Sequence, residues 1–414
     1  MLQRARATYN EFPKTFWTLM GASFIDRLGG ALLFPFFALY VTQHFGVGMT
    51  QVGILFAIFS ISGILGSFLG GAMTDKFGRK SMLLFGLVVS ALSSLLMAFV
   101  SELYVFYSLA AFVGLLSNTG GPAQQAMIAD LLPPEKLTEG YGLWRVIANL
   151  AVAVGPAIGG FVIAIYDSYI QLFVIDAVSS VITAVIVFYV IPETKPALAE
   201  DKEEESLVQT FGGYSRVLRD SVFMSFIAIS IVVIIVYVQM NSTMPVYLRD
   251  VQGIPPLGYG YILSLNAGMV VFMQFWVTRR LTGRAPLRLM ALGSLLYTIG
   301  FAMYGVNSTI YYYAFAMVII TIGEMIVVPV SQAVAARFAP EDMRGRYMAM
   351  FGFSYAIPFG IGPLLAGLIM DAFDPRWVWW ASGILGTIGV IGYLLLDNRV
   401  GQKLGNMDAA GETT

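Results

Sequence analysis

Apolar blocks of about 20 residues or more follow one another along the whole chain, and no other feature limits its fold so tightly. A helix of about 20 residues crosses the ~30 Å of bilayer hydrocarbon. Lipid offers no partner for backbone N–H and C=O groups, so segments this long must satisfy their own hydrogen bonds as helices. Twelve blocks qualify, at roughly 15–43, 50–74, 80–99, 103–130, 138–166, 169–191, 218–248, 257–280, 286–305, 309–337, 345–372 and 376–397. The composition agrees: 57% of the 414 residues are hydrophobic and 12% are charged, about half the charge of a soluble protein. The expected fold is an all-α membrane protein with twelve transmembrane helices.

Composition also excludes several functions. A net charge of −1 provides no basic surface for nucleic acid. The chain has no cysteine and one histidine, His44, which removes disulfide frameworks, thiol catalysis and Cys/His metal sites. No metal and no cofactor is expected. The first 14 residues are polar and the first apolar block exceeds a signal-peptide core, so no cleaved leader is expected. His44 falls in the loop after the first span and reads as a surface residue.

The longest break between blocks is 192–217, which contains the charge run Glu200-Asp201-Lys202-Glu203-Glu204-Glu205. It reads as a solvated linker between six-helix halves at 1–191 and 218–414, the second carrying a short tail. Lysine and arginine near the span ends are strongly biased. Arg249 and Arg376 alone fall on one side; the rest, such as Lys76, Arg79, Lys80, Arg279, Arg280, Arg344 and Arg346, fall on the other. The positive-inside rule then puts both termini in the cytoplasm of a prokaryotic plasma-membrane protein.

The halves share a pattern. Gly155-Pro156-x-x-Gly159-Gly160 in the fifth span returns 207 residues later as Gly362-Pro363-x-x-Ala366-Gly367. The same offset carries Pro122 to Pro329, Gln125 to Gln332, Ala129 to Ala336 and Pro133 to Pro340 without a gap. This is an internal duplication, and membrane proteins built from two like halves bind their ligand where the halves meet.

The loop after the second span reads Gly71-Ala72-Met73-Thr74-Asp75-Lys76-Phe77-Gly78-Arg79-Lys80. It resembles the G-x-x-x-D-[RK]-x-G-R-[RK] signature of the major facilitator superfamily. The Gly155–Gly160 stretch resembles the fifth-span motif of that superfamily's twelve-helix drug:proton antiporters. Gly323-Glu324 with Pro329 in the tenth span is similar to a pattern in some multidrug exporters and in proton-coupled peptide transporters. The resemblance implies two pseudo-symmetric six-helix bundles and a gate involving Gly71, Asp75, Gly78, Arg79, Gly155, Pro156, Gly159 and Gly160. In that family the acid at Asp75 contacts the start of the eleventh helix and locks the outward-open form. One departure stands out: many relatives carry an arginine four residues before the glycine matching Gly114, where this chain has Ala110.

Three charges lie near mid-membrane: Asp26 and Arg27 in the first span and Glu324 in the tenth. Each costs about 2.5–3.5 kcal/mol on insertion scales. Two readings stay open, a proton-coupling and cation-binding group or a structural ion pair. Adjacent helical residues point about 100° apart, so Asp26 and Arg27 do not face one point squarely; the ion pair is Arg27 with Asp26 or with Glu324, and a partner on another helix is expected. Arg145 and Asn149 share one face of the fifth span, Arg145 either snorkelling or tied to Asp130. Asn118, Gln124, Gln125, Gln239, Asn241, Asn266 and Gln274 are further polar groups at membrane depth, serving as interhelical bonds or cavity lining. Phe34, Phe37, Trp144, Tyr237 and Tyr355 are candidate aromatic walls. Asp176 reads as structural.

The functional expectation is a transporter, not an enzyme: a monomer that exports amphipathic or cationic small molecules against protons by alternating access. No G-x-x-x-x-G-K-[ST] phosphate loop is present, so ATP is not the fuel. Its partners are the lipid bilayer, protons and a small-molecule substrate. A proton-coupled importer of a metabolite or peptide is the alternative of the same class; a non-transporting receptor or scaffold is the alternative of another.

Overall fold

The computed structural model describes residues 11–117, 119–133, 136–195, 214–281, 283–306, 308–340 and 343–411. Twelve helices among them are long and apolar enough to span a membrane. They are span 1 (Lys14–Phe45), span 2 (Met49–Ser67), span 3 (Arg79–Phe99), span 4 (Leu103–Asp130), span 5 (Glu139–Tyr166) and span 6 (Ile170–Val190). The others are span 7 (Ser221–Asp250), span 8 (Pro256–Leu281), span 9 (Pro286–Met303), span 10 (Ile310–Phe338), span 11 (Arg346–Ala372) and span 12 (Trp377–Val400). The helix of span 2 itself runs on from Met49 to Phe77. The all-helical membrane architecture is the one the apolar blocks demand.

Two compact units form. The first holds 1–47, 57–201 and 255–267; the second holds 48–56, 202–254 and 268–414. Spans 2 and 8 thus each begin in one unit and end in the other.

Lipid tails are as apolar as leucine, so helices in a bilayer associate through close packing rather than through apolar burial alone. Small residues supply that closeness. A Cβ on Gly155 would lie 2.6 Å from the Ala31 Cβ, and one on Gly159 would lie 2.8 Å from the Phe36 ring. The fifth-span motif therefore seats span 5 against span 1. In the second unit a Cβ on Gly293 would stand 3.1 Å from the Gly323 carbonyl, and one on Gly323 would stand 2.8 Å from the Gly293 carbonyl. Spans 9 and 10 touch backbone to backbone beside Glu324.

Spans 1 and 7 are interrupted. Span 1 passes through a 3₁₀ turn at Phe34–Phe36, where Pro35 lacks an N–H. Span 7 stops at Val238 and restarts at Thr243. Side chains serve the backbone in that gap: Ser242 Oγ donates to the Val238 carbonyl at 2.9 Å and Gln239 Nε2 to the Ile235 carbonyl at 2.9 Å. The 207-residue offset of the duplication carries Pro35 onto Ser242, so the two breaks are repeats of one feature.

Candidate functional site

Three polar sites stand out among the described residues. The first unit contains a cavity of about 240 Å³ among spans 1, 3, 4 and 6. Asp26, Arg27, Ser23, Ser90, Gln124 and Thr183 are among the residues that line it. Gln124 Nε2 donates to Ser23 Oγ at 2.7 Å, and Thr183 Oγ1 to the Ala22 carbonyl at 3.0 Å. Asp26 turns toward span 6, where Ser180 Oγ donates to its Oδ1 at 2.9 Å and lies 3.3 Å from Ser90 Oγ. Arg27 turns the other way. Its guanidinium carbon sits 4.4 Å above the Trp144 ring on span 5, while its Nε is buried without a hydrogen-bond partner. An aromatic face on span 5 therefore sits against the Arg27 cation.

One helical turn before Ser180 lies Asp176, 8% exposed. Its carboxylate accepts from Ser94 Oγ, which lies one turn after Ser90. Two serines on span 3 and a serine with an aspartate on span 6 thus form a polar ladder beside Asp26. Gly29 makes room for it, since a Cβ there would lie 3.0 Å from the Asp176 Cα. Sequence reading missed this ladder. The signal was present as Ser90-x-x-x-Ser94 and Asp176-x-x-x-Ser180, polar pairs at one-turn spacing inside apolar spans.

The second site surrounds Glu324 on span 10. Tyr237 Oη, from span 7, donates to Glu324 Oε1 at 2.9 Å. The Tyr237 and Tyr297 rings lie 5.4 Å apart between centroids. Tyr297 is 1% exposed, and its hydroxyl has no hydrogen-bond partner. Gln274 braces the same turn by donating to the Met325 carbonyl at 3.0 Å. Glu324 is thus a half-buried carboxylate set beside two phenol rings inside an apolar span.

The third site is the loop between spans 2 and 3. Gly78 has φ 97°, a conformation only glycine adopts without cost. A Cβ there would also sit 2.5 Å from Glu193 Oε2. The Glu193 carboxylate fills that space and accepts from the N–H of Arg79 at 2.9 Å and of Lys80 at 3.2 Å. Arg79 Nε bonds Asp130 Oδ2 at 3.1 Å, and Thr194 Oγ1 donates to the same oxygen at 3.1 Å. Asp130, the acid that the sequence offered to Arg145, is thereby engaged by Arg79. Gly71 and Asp75 lie in the helix of span 2; their surroundings are outside the described residues, as is Asn118 altogether.

The remaining candidates scatter. Arg145 and Asn149 lie on an exposed face of span 5. Gln125 is exposed, and its carbonyl accepts from Tyr141 at 3.1 Å. Phe34 is 38% exposed at the span 1 break, and Asn266 is 8% exposed on span 8. Asn241 lies half-buried in the span 7 break. Tyr355, on span 11, stacks edge-on to Phe351 at 5.7 Å. Phe37 packs among Phe59, Phe106 and Phe173 as core. His44, expected in a loop, instead lies in the last turn of span 1, because that helix runs on to Phe45; exposed as expected, it stacks on Tyr40 and bonds the Val100 carbonyl at 2.9 Å.

Comparison with known proteins agrees with this architecture. The family model described as Major Facilitator Superfamily matches residues 19–359 and 280–410. The chain is 27% identical over 392 residues to the Na(+), Li(+), K(+)/H(+) antiporter of Planococcus maritimus, covering 87% of this chain and 89% of that one. It is 25% identical over 396 residues to the multidrug resistance protein MdtH of Shigella flexneri, covering 92% and 94%. Among solved structures, a point mutant of the nucleoside transporter NupG superposes with a TM-score of 0.81 at 11% identity, over 92% of this chain and 100% of that one. A POT family transporter in complex with 5-aminolevulinic acid superposes with a TM-score of 0.75 at 15% identity, over 95% and 97%.

Proposed function

Because the chain belongs to the major facilitator superfamily, we propose that it is a proton-coupled antiporter that exports amphipathic or cationic small molecules by alternating access. The observation that carries this reading is Glu324: a carboxylate inside span 10, held by Tyr237 Oη at 2.9 Å and set beside a buried tyrosine whose hydroxyl is unpartnered. Such a group binds a cation when ionised and releases it when protonated, so proton and substrate compete for one place. One proton entering down 100 mV supplies about 2.3 kcal/mol, enough for a gradient of some tens-fold. Asp26 and Arg27 serve the same cycle from the first unit. Asp75 and the fifth-span glycines belong to its gates, the halves are 1–191 and 218–414, and both termini are cytoplasmic.

A second reading is supported by the ladder around Asp26. Carboxylate and hydroxyl oxygens are the donors that suit a hard cation, and one relative is a Na(+), Li(+), K(+)/H(+) antiporter. On that reading the cargo is an alkali-metal cation. The discriminating experiment uses sealed proteoliposomes with an imposed pH gradient and a pH-reporting dye. Dissipation on adding a lipophilic organic cation supports the first reading; dissipation on adding Na⁺, Li⁺ or K⁺ supports the second. Response to neither refutes both.

A further inference from the structure

Spans 2 and 11 end in the same five-residue pattern. Gly71-Ala72-Met73-Thr74-Asp75 closes span 2 at the lysine- and arginine-rich side, and Gly367-Leu368-Ile369-Met370-Asp371 closes span 11 at the opposite side. The second copy has a visible partner. Asp371 Oδ1 accepts from the Met49 N–H at 2.9 Å and Oδ2 from the Thr50 N–H at 2.7 Å. Met49 and Thr50 open the helix of span 2, and the residue before them, Gly48, has no side chain to cap it. Asp371 thus provides from another helix what an N-cap side chain provides locally, with a full negative charge on the positive end of the helix.

The surrounding contact is built for closeness. A Cβ on Gly367 would lie 2.6 Å from the Thr50 nitrogen, one on Gly53 would lie 2.6 Å from the Leu364 nitrogen, and one on Gly48 would meet the Asp371 carboxylate at 2.5–2.7 Å. Phe56 and Phe359 extend the seam edge to face at 5.5 Å. All of these residues lie in the second unit, yet from Ala57 onward span 2 belongs to the first. The first two turns of span 2 are therefore fastened to span 11, while the remainder packs elsewhere.

We propose that Asp371 is the clasp of the outer gate: its carboxylate holds the start of span 2 on the end of span 11, and the outer side opens only when that cap is released. The proposal rests on the alternating-access reading above. Opening the outer side requires the start of span 2 to leave span 11, and both hydrogen bonds to the carboxylate break as it does. The pair of helices then carries a glycine-and-carboxylate ending at each side, Asp75 for the inner gate and Asp371 for the outer. A merely structural cap is the competing explanation. It would lower stability on removal without changing how the sides alternate.

The chain has no cysteine, so labels can be placed at will. Spin labels at exposed Gln43 and Phe373, introduced as cysteines in the full-length protein in proteoliposomes, read the outer separation by pulsed electron resonance. Asp371→Ala should raise the ratio of long to short distances about tenfold, the scale of one hydrogen bond to a charged group. Gly48→Ala should do the same without touching the charge, because its Cβ displaces the carboxylate. It decides the matter alone if Asp371→Ala does not fold. Unchanged distance distributions in a folded variant overturn the clasp, including the case where only the melting temperature falls. Flux through wild-type protein is read separately. If it is absent while the variants still shift the distances, the transport reading fails and the clasp stands.

Discussion

Glu193→Ala should loosen the start of span 3 by a calculable amount. The Glu193 carboxylate gathers the backbone N–H groups of Arg79 at 2.9 Å, Lys80 at 3.2 Å, Thr194 at 3.0 Å and Lys195 at 3.0 Å. Arg79 and Lys80 are the first two residues of that helix, so Glu193 acts as its cap, and cap removal costs about 1 kcal/mol. The helix-end charge effect adds about 0.3–1 kcal/mol, but Glu193 is exposed, and screening keeps that part at its low end. A loss of ~1 kcal/mol multiplies the open population about fivefold. The pH dependence has a definite sign. Partial burial pushes the Glu193 carboxyl up, but hydrogen bonds from the N–H groups of Lys195, Lys80, Arg79 and Thr194 outweigh it and hold it below its ordinary value of 4.5. The anchor is therefore complete above that value and is lost as pH falls through the lower folded value. Hydrogen exchange of the Arg79 and Lys80 amides, normalised to intrinsic rates, is the assay. The variant should exchange about fivefold faster at pH 7, and acidified wild type should approach it. Equal protection in the two proteins at pH 7 would refute the cap.

Three further outcomes follow from named contacts. Tyr237→Phe removes the hydroxyl that donates to Glu324; thermal unfolding should show a loss of about 1–3 kcal/mol, with reduced flux, and a variant as stable and active as wild type contradicts the contact. Trp144→Ala strips the aromatic face from Arg27, worth about 0.5–2 kcal/mol; proton-driven flux should fall and Trp144→Phe should restore it, whereas full activity in Trp144→Ala makes the ring dispensable. Gly159→Val forces atoms into the Leu32 carbonyl and the Phe36 ring, so the melting temperature should fall by the equivalent of about 1–3 kcal/mol; an unchanged melting temperature means that the spans are not in contact there.

The fold was legible because lipid imposes a length on every apolar run. Blocks read at 80–99 and 138–166 appear as Arg79–Phe99 and Glu139–Tyr166, set by charged or turn-forming residues at the membrane edge. That the fifth span would approach a neighbour closely was legible too, since Gly155 and Gly159 lie one turn apart; that the neighbour is span 1 was not. The breaks in spans 1 and 7 were not. Phe34–Phe36 carries no polar side chain, and Gln239, Asn241 and Ser242 are too few to interrupt a hydropathy window set by the apolar residues around them; only the duplication offset connects the two breaks. Asp26, Arg27 and Glu324 stood out by the cost of a charge in lipid. Their partners did not: Ser180, Trp144 and Tyr237 lie 154, 117 and 87 residues away in the chain, and no local pattern records which helix faces which. Asp176 read as structural from its place short of mid-depth; the Ser94 contact that sets it beside Asp26 exists only once spans 3 and 6 are packed.

Glu324→Gln in proteoliposomes is the decisive measurement, with two fluxes read from one preparation. Glutamine keeps the size of the side chain and a carbonyl that accepts from Tyr237 Oη, so the fold should persist; what is lost is the ionisable carboxyl and its charge. Substrate moved by an imposed pH gradient should fall to the level of protein-free vesicles, while exchange of labelled for unlabelled substrate at equal pH should continue. A Glu324→Gln protein that still moves substrate at the wild-type rate under a pH gradient would contradict proton coupling at this carboxylate.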